Sequence, residues 1–222
     1  MAVVKHKNQR VGIFIDTQNL YHSAKNLYHS KVNFGQIVKD AAAGRPLIRA
    51  VAYVITTESG DEKNFFDALV KVGIETKTKN LQIFSGGAKK ADWDVGMAID
   101  AVKLAPKLDT VILVTGDGDF VPLVEYLKVN EGCQVEVISF GKSSSSRLIE
   151  VADDFIDLDD NPRRYLMVSN GAGLGRGRGG KMGGRQGASS ARGHNAHSAP
   201  AAAAENSEQL DQAIIDSGEG MA

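Results

Sequence analysis

Short, wholly apolar segments alternate with segments of helical periodicity along most of this chain, and this alternation limits the fold more than any other feature. The apolar segments, read as strands, are residues 11–15 (VGIFI), 47–55, 111–114, 135–139 and 155–158, with an extended strand or hairpin over 74–84. Helical spacing covers 19–27, 63–72, 92–105, 121–129 and 147–152. Apolar strands separated by helices pair in parallel and are covered on both faces. The sequence therefore predicts an α/β fold, a three-layer sandwich with a mainly parallel central sheet.

The helix predicted over 92–105 has a distinct apolar side. Val95, Ala98, Ile99 and Val102 recur at helical spacing and form one stripe, and Pro106 follows the helix.

Charge is divided unevenly along the 222 residues. Lys and Arg total 26 against 27 Asp and Glu, a net charge of −1. Residues 161–204 nevertheless contain no acid but seven Lys or Arg among many glycines, and five acids follow them without a Lys or Arg. Such a composition buries too little apolar surface to fold. The sequence predicts one domain over 1–160 and a disordered Gly/Arg-rich tail over 161–222, in which 207–216 is either frayed or a short helix that docks a protein partner.

Cysteine usage and hydropathy indicate the setting of the protein. The chain has one cysteine, Cys133, so neither an internal disulfide nor a cysteine-based zinc site is expected. The first ten residues show no signal peptide, and no segment approaches the roughly 18 apolar residues that span a bilayer. We expect a cytoplasmic protein without a membrane partner.

Aspartates stand where a parallel α/β fold brings loops together. Asp16 ends the first predicted strand, Asp117 and Asp119 follow the strand over 111–114, and Asp92 and Asp94 start a helix. The carboxyl ends of parallel strands share one edge of the sheet, and ligands bind there. Clustered carboxylates repel one another unless a cation neutralises them, and Mg²⁺ or Mn²⁺ prefers such oxygen ligands.

Each of these aspartates taken alone could instead cap a helix. For Asp92 both a capping and a metal role are open, whereas Asp94 fits the metal role better. Asp100 lies about 240° round the helix from Asp94, so it cannot point in the same direction, and we expect it at the surface or behind the metal ligands. Four other positions are secondary candidates because they flank the acids: Asn19 as a cap or as a ligand for water or phosphate, Thr115 as a strand end, and Lys89 and Lys90 as phosphate contacts. We expect Gly116 and Gly118 to permit a sharp turn after the strand.

Three motifs carry a family resemblance. FIDTQNL (14–20), KKADWDVGMAIDA (89–101) and TGDGDFVPLVEYL (115–127) resemble the NYN domain, in particular its bacterial LabA-like branch, within the PIN-like nuclease superfamily. The resemblance covers residues 9–160. It implies a Rossmann-like PIN fold and a Mg²⁺- or Mn²⁺-dependent phosphodiesterase that cuts RNA. Matched by motif, Asp16, Asp94, Asp117 and Asp119 would be the catalytic metal ligands.

Three further positions follow from the same match. Asn19 is the partner of the first acid, Thr115 stands where serine is common, and Asp92 is extra relative to the pattern, so the choice between Asp92 and Asp94 stays open. Related nucleases often dimerise, which leaves a homodimer as an alternative to a monomer.

Several functions compete on these residues. A ribonuclease is the leading hypothesis, with single-stranded RNA as partner and Arg176 and Arg178 of the tail among its phosphate contacts. A non-catalytic RNA-binding or regulatory protein of the same fold is the alternative. A haloacid dehalogenase phosphatase would need an aspartate at position 18, which is Gln18, and a toprim site would need a glutamate in place of Asp16.

Overall fold

A computed structural model describes residues 3–56, 63–80, 82–83, 89–90 and 92–167. Within them the strands are β1 (Val11–Asp16), β2 (Leu47–Thr56), β3 (Glu75–Asn80), β4 (Gln82–Ile83), β5 (Lys89–Lys90), β6 (Thr110–Val114), β7 (Gln134–Ser139) and β8 (Asp154–Asp157). The helices are α1 (Thr17–Tyr28), α2 (Phe34–Ala42), α3 (Lys63–Lys71), α4 (Asp94–Leu104), α5 (Val121–Val129), α6 (Ser146–Val151) and α7 (Pro162–Tyr165).

Six strands form one parallel sheet in the order β3-β2-β1-β6-β7-β8. The chain builds outward from β1 in one direction through β2 and β3, then returns to β6 and builds in the other direction. The point where the order reverses therefore lies between β1 and β6, and crevices open there at the carboxyl ends of the strands. Ile15 pairs with Val114, which sets Asp16 beside Thr115 at that edge.

Helices cover both faces of this sheet, as the apolar strands require. On one face α1, α2, α3 and α7 pack on alternate residues of the strands, among them Ile13, Ile15 and Val114. On the other face α4, α5 and α6 pack on the intervening residues, among them Phe14, Val111 and Leu113. The predicted three-layer α/β fold with a parallel central sheet is confirmed.

The structure divides the apolar stripe predicted for α4. The residues of α4 that the core buries are Met97 and Ala101. Of the predicted stripe, Ala98 and Val102 pack against this core, whereas Val95 and Ile99 are 68% and 47% exposed. The helix is apolar on both sides, so its composition does not distinguish the side that packs on the sheet.

Two further segments depart from the expectations. Helix α2 is absent from the sequence analysis, although Asn33 caps it by accepting a hydrogen bond from the Gln36 backbone N–H at 3.1 Å. The folded structure also continues beyond residue 160, because α7 follows β8 and buries Tyr165. The rest of the predicted tail, residues 168–222, lies outside the described residues. Among the helices that are described, none is long and apolar enough to cross a membrane.

Candidate metal centre

Hydrogen bonds to the end of β1 and to the start of α1 hold the loop that follows β6. The Thr115 hydroxyl donates to Asp16 Oδ2 and accepts from the Asp117 backbone N–H, each at 3.2 Å. Asn19 Oδ1 accepts from the Gly116 backbone N–H at 2.8 Å. These contacts tie the start of α1 to the loop and fix the direction in which the loop leaves the sheet.

Asp117 and Asp119 are brought together by a single 3₁₀ turn over residues 118–120. Asp117 caps this turn, since its Oδ1 accepts from the Asp119 backbone N–H at 2.9 Å. One oxygen of Asp117 is therefore used locally, while a carboxylate of this kind can accept several further contacts.

The glycines of this loop are required by close packing. Neither Gly116 nor Gly118 has a positive φ, so the expected role in a sharp turn is not the constraint. A Cβ on Gly116 would lie 2.6 Å from Ser144 Oγ and 3.1 Å from its Cα, and a Cβ on Gly118 would lie 2.8 Å from Ser145 Oγ. The segment after β7 thus packs directly under the Asp117–Asp119 turn.

Asp94 completes a group of three carboxylates. One carboxylate oxygen from each of Asp94, Asp117 and Asp119 lies within 4.8 Å of the other two. Asp94 is the first residue of α4, and an aromatic side chain secures that position: Trp93 Nε1 donates to the Val54 carbonyl at 3.1 Å. Gly96 leaves room for this arrangement, because a Cβ there would meet the Trp93 ring at 2.6 Å.

Burial and mutual repulsion mark Asp94 electrostatically. Burial first, and then the charges of Asp16, Asp117, Asp92 and Asp119, raise its pKa from 3.8 to about 6. In the described part of the chain, no Lys or Arg forms an ion pair with any of the three clustered carboxylates. The group therefore has an unbalanced negative charge, which a hard cation would neutralise.

Asp16 lies beside this group but is not one of its three members. Its Oδ1 accepts from the Asn19 backbone N–H at 3.1 Å as the N-cap of α1, and its Oδ2 accepts from Thr115. Burial raises the pKa of Asp16, opposed by these hydrogen bonds and assisted by the charge of Asp117. The structure thus gives Asp16 the helix cap that the sequence analysis considered for any single aspartate, next to the trio.

The secondary candidates separate into different roles. Asn19 lies inside α1 and holds the Gly116 N–H, so it does not cap the helix. Asp92 does not cap α4 either, because Trp93 occupies the cap position and α4 has no side-chain cap. Asp100 is bound by the Tyr53 hydroxyl at 2.8 Å and by Lys77 Nζ at 2.5 Å.

The basic candidates are less well defined. Lys89 and Lys90 form strand β5, whereas their side chains lie outside the described residues, as do Arg176 and Arg178. A cation that the sequence analysis did not consider is Lys79: its Nζ donates to the Asp92 carbonyl at 2.9 Å and lies 5.8 Å from the centre of the Trp93 ring. The signal for this support was the single tryptophan between two aspartates in the segment ADWD.

A groove between α4 and α5 opens from the carboxylate group. Its volume is about 550 Å³. The groove is lined by Asp92, Asp94, Val95, Ala98, Val102, Asp119, Phe120, Pro122, Leu123 and Tyr126. Acidic residues form one end, and the rest of the lining is mainly apolar.

Comparison with known proteins agrees with these motifs. The NYN domain family matches residues 10–159. Low amplitude and bright protein LabA of Synechococcus elongatus is 30% identical over 160 residues, 68% of this chain and 84% of that protein. An uncharacterized protein of Methanocaldococcus jannaschii is 28% identical over 68% of this chain and 56% of its own length. A crystal structure of a Vibrio parahaemolyticus protein of unknown function is 33% identical, covers 74% of this chain and all of that one, and gives a TM-score of 0.67. The chain therefore belongs to the NYN domain family, in its LabA-like branch.

Proposed function

We propose that this protein is a divalent-metal-dependent ribonuclease that hydrolyses RNA phosphodiester bonds at the edge of the sheet between β1 and β6. The observation that carries the proposal is the trio of Asp94, Asp117 and Asp119, with oxygens within 4.8 Å of one another and no described cation paired with them. Membership of the NYN family, which lies within the PIN-like nuclease superfamily, supports the same chemistry.

The residues present suit Mg²⁺ or Mn²⁺. All three donors are carboxylates, and the raised pKa of Asp94 reflects a negative potential that a divalent cation would relieve. When bound, such an ion would lower the pKa of a coordinated water and offset charge on the phosphate. We assign Asp94, Asp117 and Asp119 as the metal-holding side chains, and Asp16 as the neighbouring acid that adds negative charge.

The surrounding residues hold these carboxylates in place. Thr115 and Asn19 fix the loop that bears Asp117, and Trp93 fixes the start of the helix that bears Asp94. Groups that orient ligands in this way commonly matter for metal affinity nearly as much as the ligands themselves. Asp92, next to Trp93, contributes charge to Asp94 and remains a second candidate for the metal.

RNA is the substrate that fits the rest of the chain. Residues 161–204 combine seven Lys or Arg with no acid, and arginines between glycines, such as Arg176 and Arg178, suit sequence-independent contacts to single-stranded RNA. Lys89 and Lys90 precede the Asp92–Asp94 segment and would contact phosphates near the site. A cytoplasmic location remains an expectation that rests on the single cysteine, Cys133.

The test is cleavage of a labelled single-stranded RNA by the purified full chain with Mn²⁺, with Mg²⁺ and with EDTA. We expect cleavage with either metal and none with EDTA. Asp117→Asn should lower the rate by more than about 100-fold, since changes even to outer-shell groups cost roughly 10- to 100-fold. Asp109→Asn, just before the same strand and paired with Arg10, is the matched control and should cleave normally.

Equal cleavage by wild type and Asp117→Asn would refute the site. Binding of RNA that tolerates EDTA, together with no cleavage under any condition, would instead establish the alternative of a non-catalytic RNA-binding or regulatory protein. A homodimer and a protein partner for the C-terminal segment remain predictions, which light scattering and partner capture address separately.

A further inference from the structure

An apolar wall of α4 faces outward, beside the carboxylate trio. Val95, the residue after Asp94, is 68% exposed, and Tyr126 on α5 across the groove is 41% exposed. Between them the floor is formed by Phe120 and Leu123, which are almost fully buried. Exposed apolar surface grouped in a concave site indicates a ligand rather than ordinary surface variation.

The groove is continuous with the proposed metal site. Asp94 and Asp119, two members of the trio, line its acidic end. From Asp94 to Val102 the groove follows α4 for about 12 Å at 1.5 Å per residue. Its volume of about 550 Å³ lies in the range of small-molecule sites and exceeds what one base requires.

We propose that this groove is a nucleoside subsite, in which the base of the nucleotide next to the cleaved phosphate stacks on Tyr126. The proposal rests on the ribonuclease function and specifies how that site holds its substrate. If a phosphate lies at the trio, the adjoining sugar and base must lie within one nucleotide's length of it. The groove begins at the trio and is therefore within their range. Aromatic rings stack on any base, so this subsite would hold RNA without selecting a sequence.

A second copy of the chain is a poorer occupant of the same surface. A stable interface buries about 800 Å² on each partner and excludes water from its centre. Here the surface is a groove whose end contains Asp92, Asp94 and Asp119. No ion pair within the described part of the chain neutralises these carboxylates, so covering them with protein would be costly. A nucleotide avoids this cost, because the acidic end remains available for the cation that its phosphate requires.

The contacts of Tyr126 allow its ring to be tested separately from its hydroxyl. The hydroxyl lies 3.2 Å from Glu131 Oε1 at the surface, so Tyr126→Phe removes that hydrogen bond and keeps the ring, whereas Tyr126→Ala removes both. Val129→Ala is the matched control, since Val129 lies on the same helix, is 82% exposed and does not line the groove.

The experiment uses the full chain and short single-stranded RNAs that carry one abasic position, moved stepwise along the strand. We expect one abasic position beside the cut site to weaken binding and cleavage by roughly 5- to 150-fold in the wild type. Tyr126→Ala should weaken binding and cleavage of the intact RNA by a similar factor, and the abasic position should then have no further effect. Tyr126→Phe and Val129→Ala should match the wild type. Every variant keeps the same C-terminal tail, so RNA contacts of the tail cannot explain a difference between them.

The outcomes separate this proposal from the ribonuclease proposal. If Asp117→Asn abolishes cleavage while Tyr126→Ala behaves as the wild type, the subsite is refuted and the nuclease stands. If no protein cleaves, RNA binding alone still reports the abasic response, and its absence would refute the subsite. Light scattering gives the other contrary result: a wild-type dimer that Tyr126→Ala converts to monomer would assign the groove to a second copy.

Discussion

Replacing Asp94 by asparagine should stabilise the metal-free protein, although Asp94 is one of its proposed metal ligands. Burial and four neighbouring acids raise the Asp94 pKa to about 6, so the ionised form is disfavoured in the folded state. At full strength a pKa raised from 3.8 to about 6 corresponds to ~3 kcal/mol. Solvent screening of this partly exposed side chain reduces the expected gain to about 1 kcal/mol. The favourable interaction of an acid with the first turn of α4, about 0.3–1 kcal/mol, opposes this gain, so the expected net stabilisation is only a few tenths of a kcal/mol.

The pH dependence has a definite sign. Because the folded pKa lies above the unfolded value, the folded state binds the proton more tightly, and the penalty is absent below about pH 4. As the pH rises through 6, folded wild type must ionise Asp94 against its neighbours and loses stability relative to Asp94→Asn. The measurement is urea unfolding of both proteins in EDTA at several values between pH 4.5 and pH 8.

Asp100→Asn, on the same helix, is the matched control with the opposite sign. Burial of Asp100 opposes its ionisation, but hydrogen bonds from Lys77 and Tyr53 together lower its pKa. The stability that this carboxylate contributes is present above its unfolded pKa and is lost as the pH falls through the folded pKa. Asp100→Asn should therefore destabilise the protein at neutral pH. If Asp94→Asn were also less stable than wild type at pH 8 in EDTA, the carboxylate repulsion inferred here would be wrong.

Three further predictions concern the support of the site and the fold. Gly116→Ala should lower the free energy of unfolding by about 1–3 kcal/mol, measured by urea unfolding, because its Cβ would press on the backbone of Ser144; an unchanged midpoint would contradict the packing. Arg45→Met should cost about 1.5–3 kcal/mol in the same assay, since it removes the guanidinium from the fully buried Glu136 and leaves Lys5 and Gln134 as its partners, and a loss below 1 kcal/mol would contradict that. Thr115→Val should weaken Mn²⁺ binding roughly 10- to 100-fold by calorimetry, and equal affinity would show that the hydroxyl does not position the ligands.

Parts of the site follow from the sequence because topology alone determines them. Asp16 and Asp117 follow strands β1 and β6, which a parallel sheet with reversed strand order places side by side. Asp94 could be predicted for the same edge because it starts a helix that follows a strand, and such a helix begins at the carboxyl edge of the sheet. Topology thus predicts that these acids lie at one edge of the sheet, but not that Asp16 stands beside the trio instead of belonging to it.

Other features depend on tertiary packing and could not be predicted in this way. The two carboxylate oxygens of Asp16 are occupied by donors from two segments, one of them Thr115, 99 residues away. The need for glycine at 116 comes from Ser144, which no local rule connects to it. For α4, periodicity indicated one apolar stripe, but Ala98 and Val102 pack against the core while Val95 and Ile99 are exposed.

Helix α2 is a different case, since its signals were present in the sequence. Asn33 precedes the helix as a cap, and Phe34, Ile37, Val38 and Ala41 recur at helical spacing and are all buried. This helix was predictable from capping and periodicity together.

The most direct test of the account is anomalous scattering from crystals of the full chain soaked in Mn²⁺. We predict an anomalous peak for one manganese ion within coordination distance of oxygens of Asp94, Asp117 and Asp119 in the wild type. The peak should be lost in Asp117→Asn crystals treated identically. A peak only at other positions, or none at saturating Mn²⁺, would contradict the proposal that these three carboxylates form a metal centre.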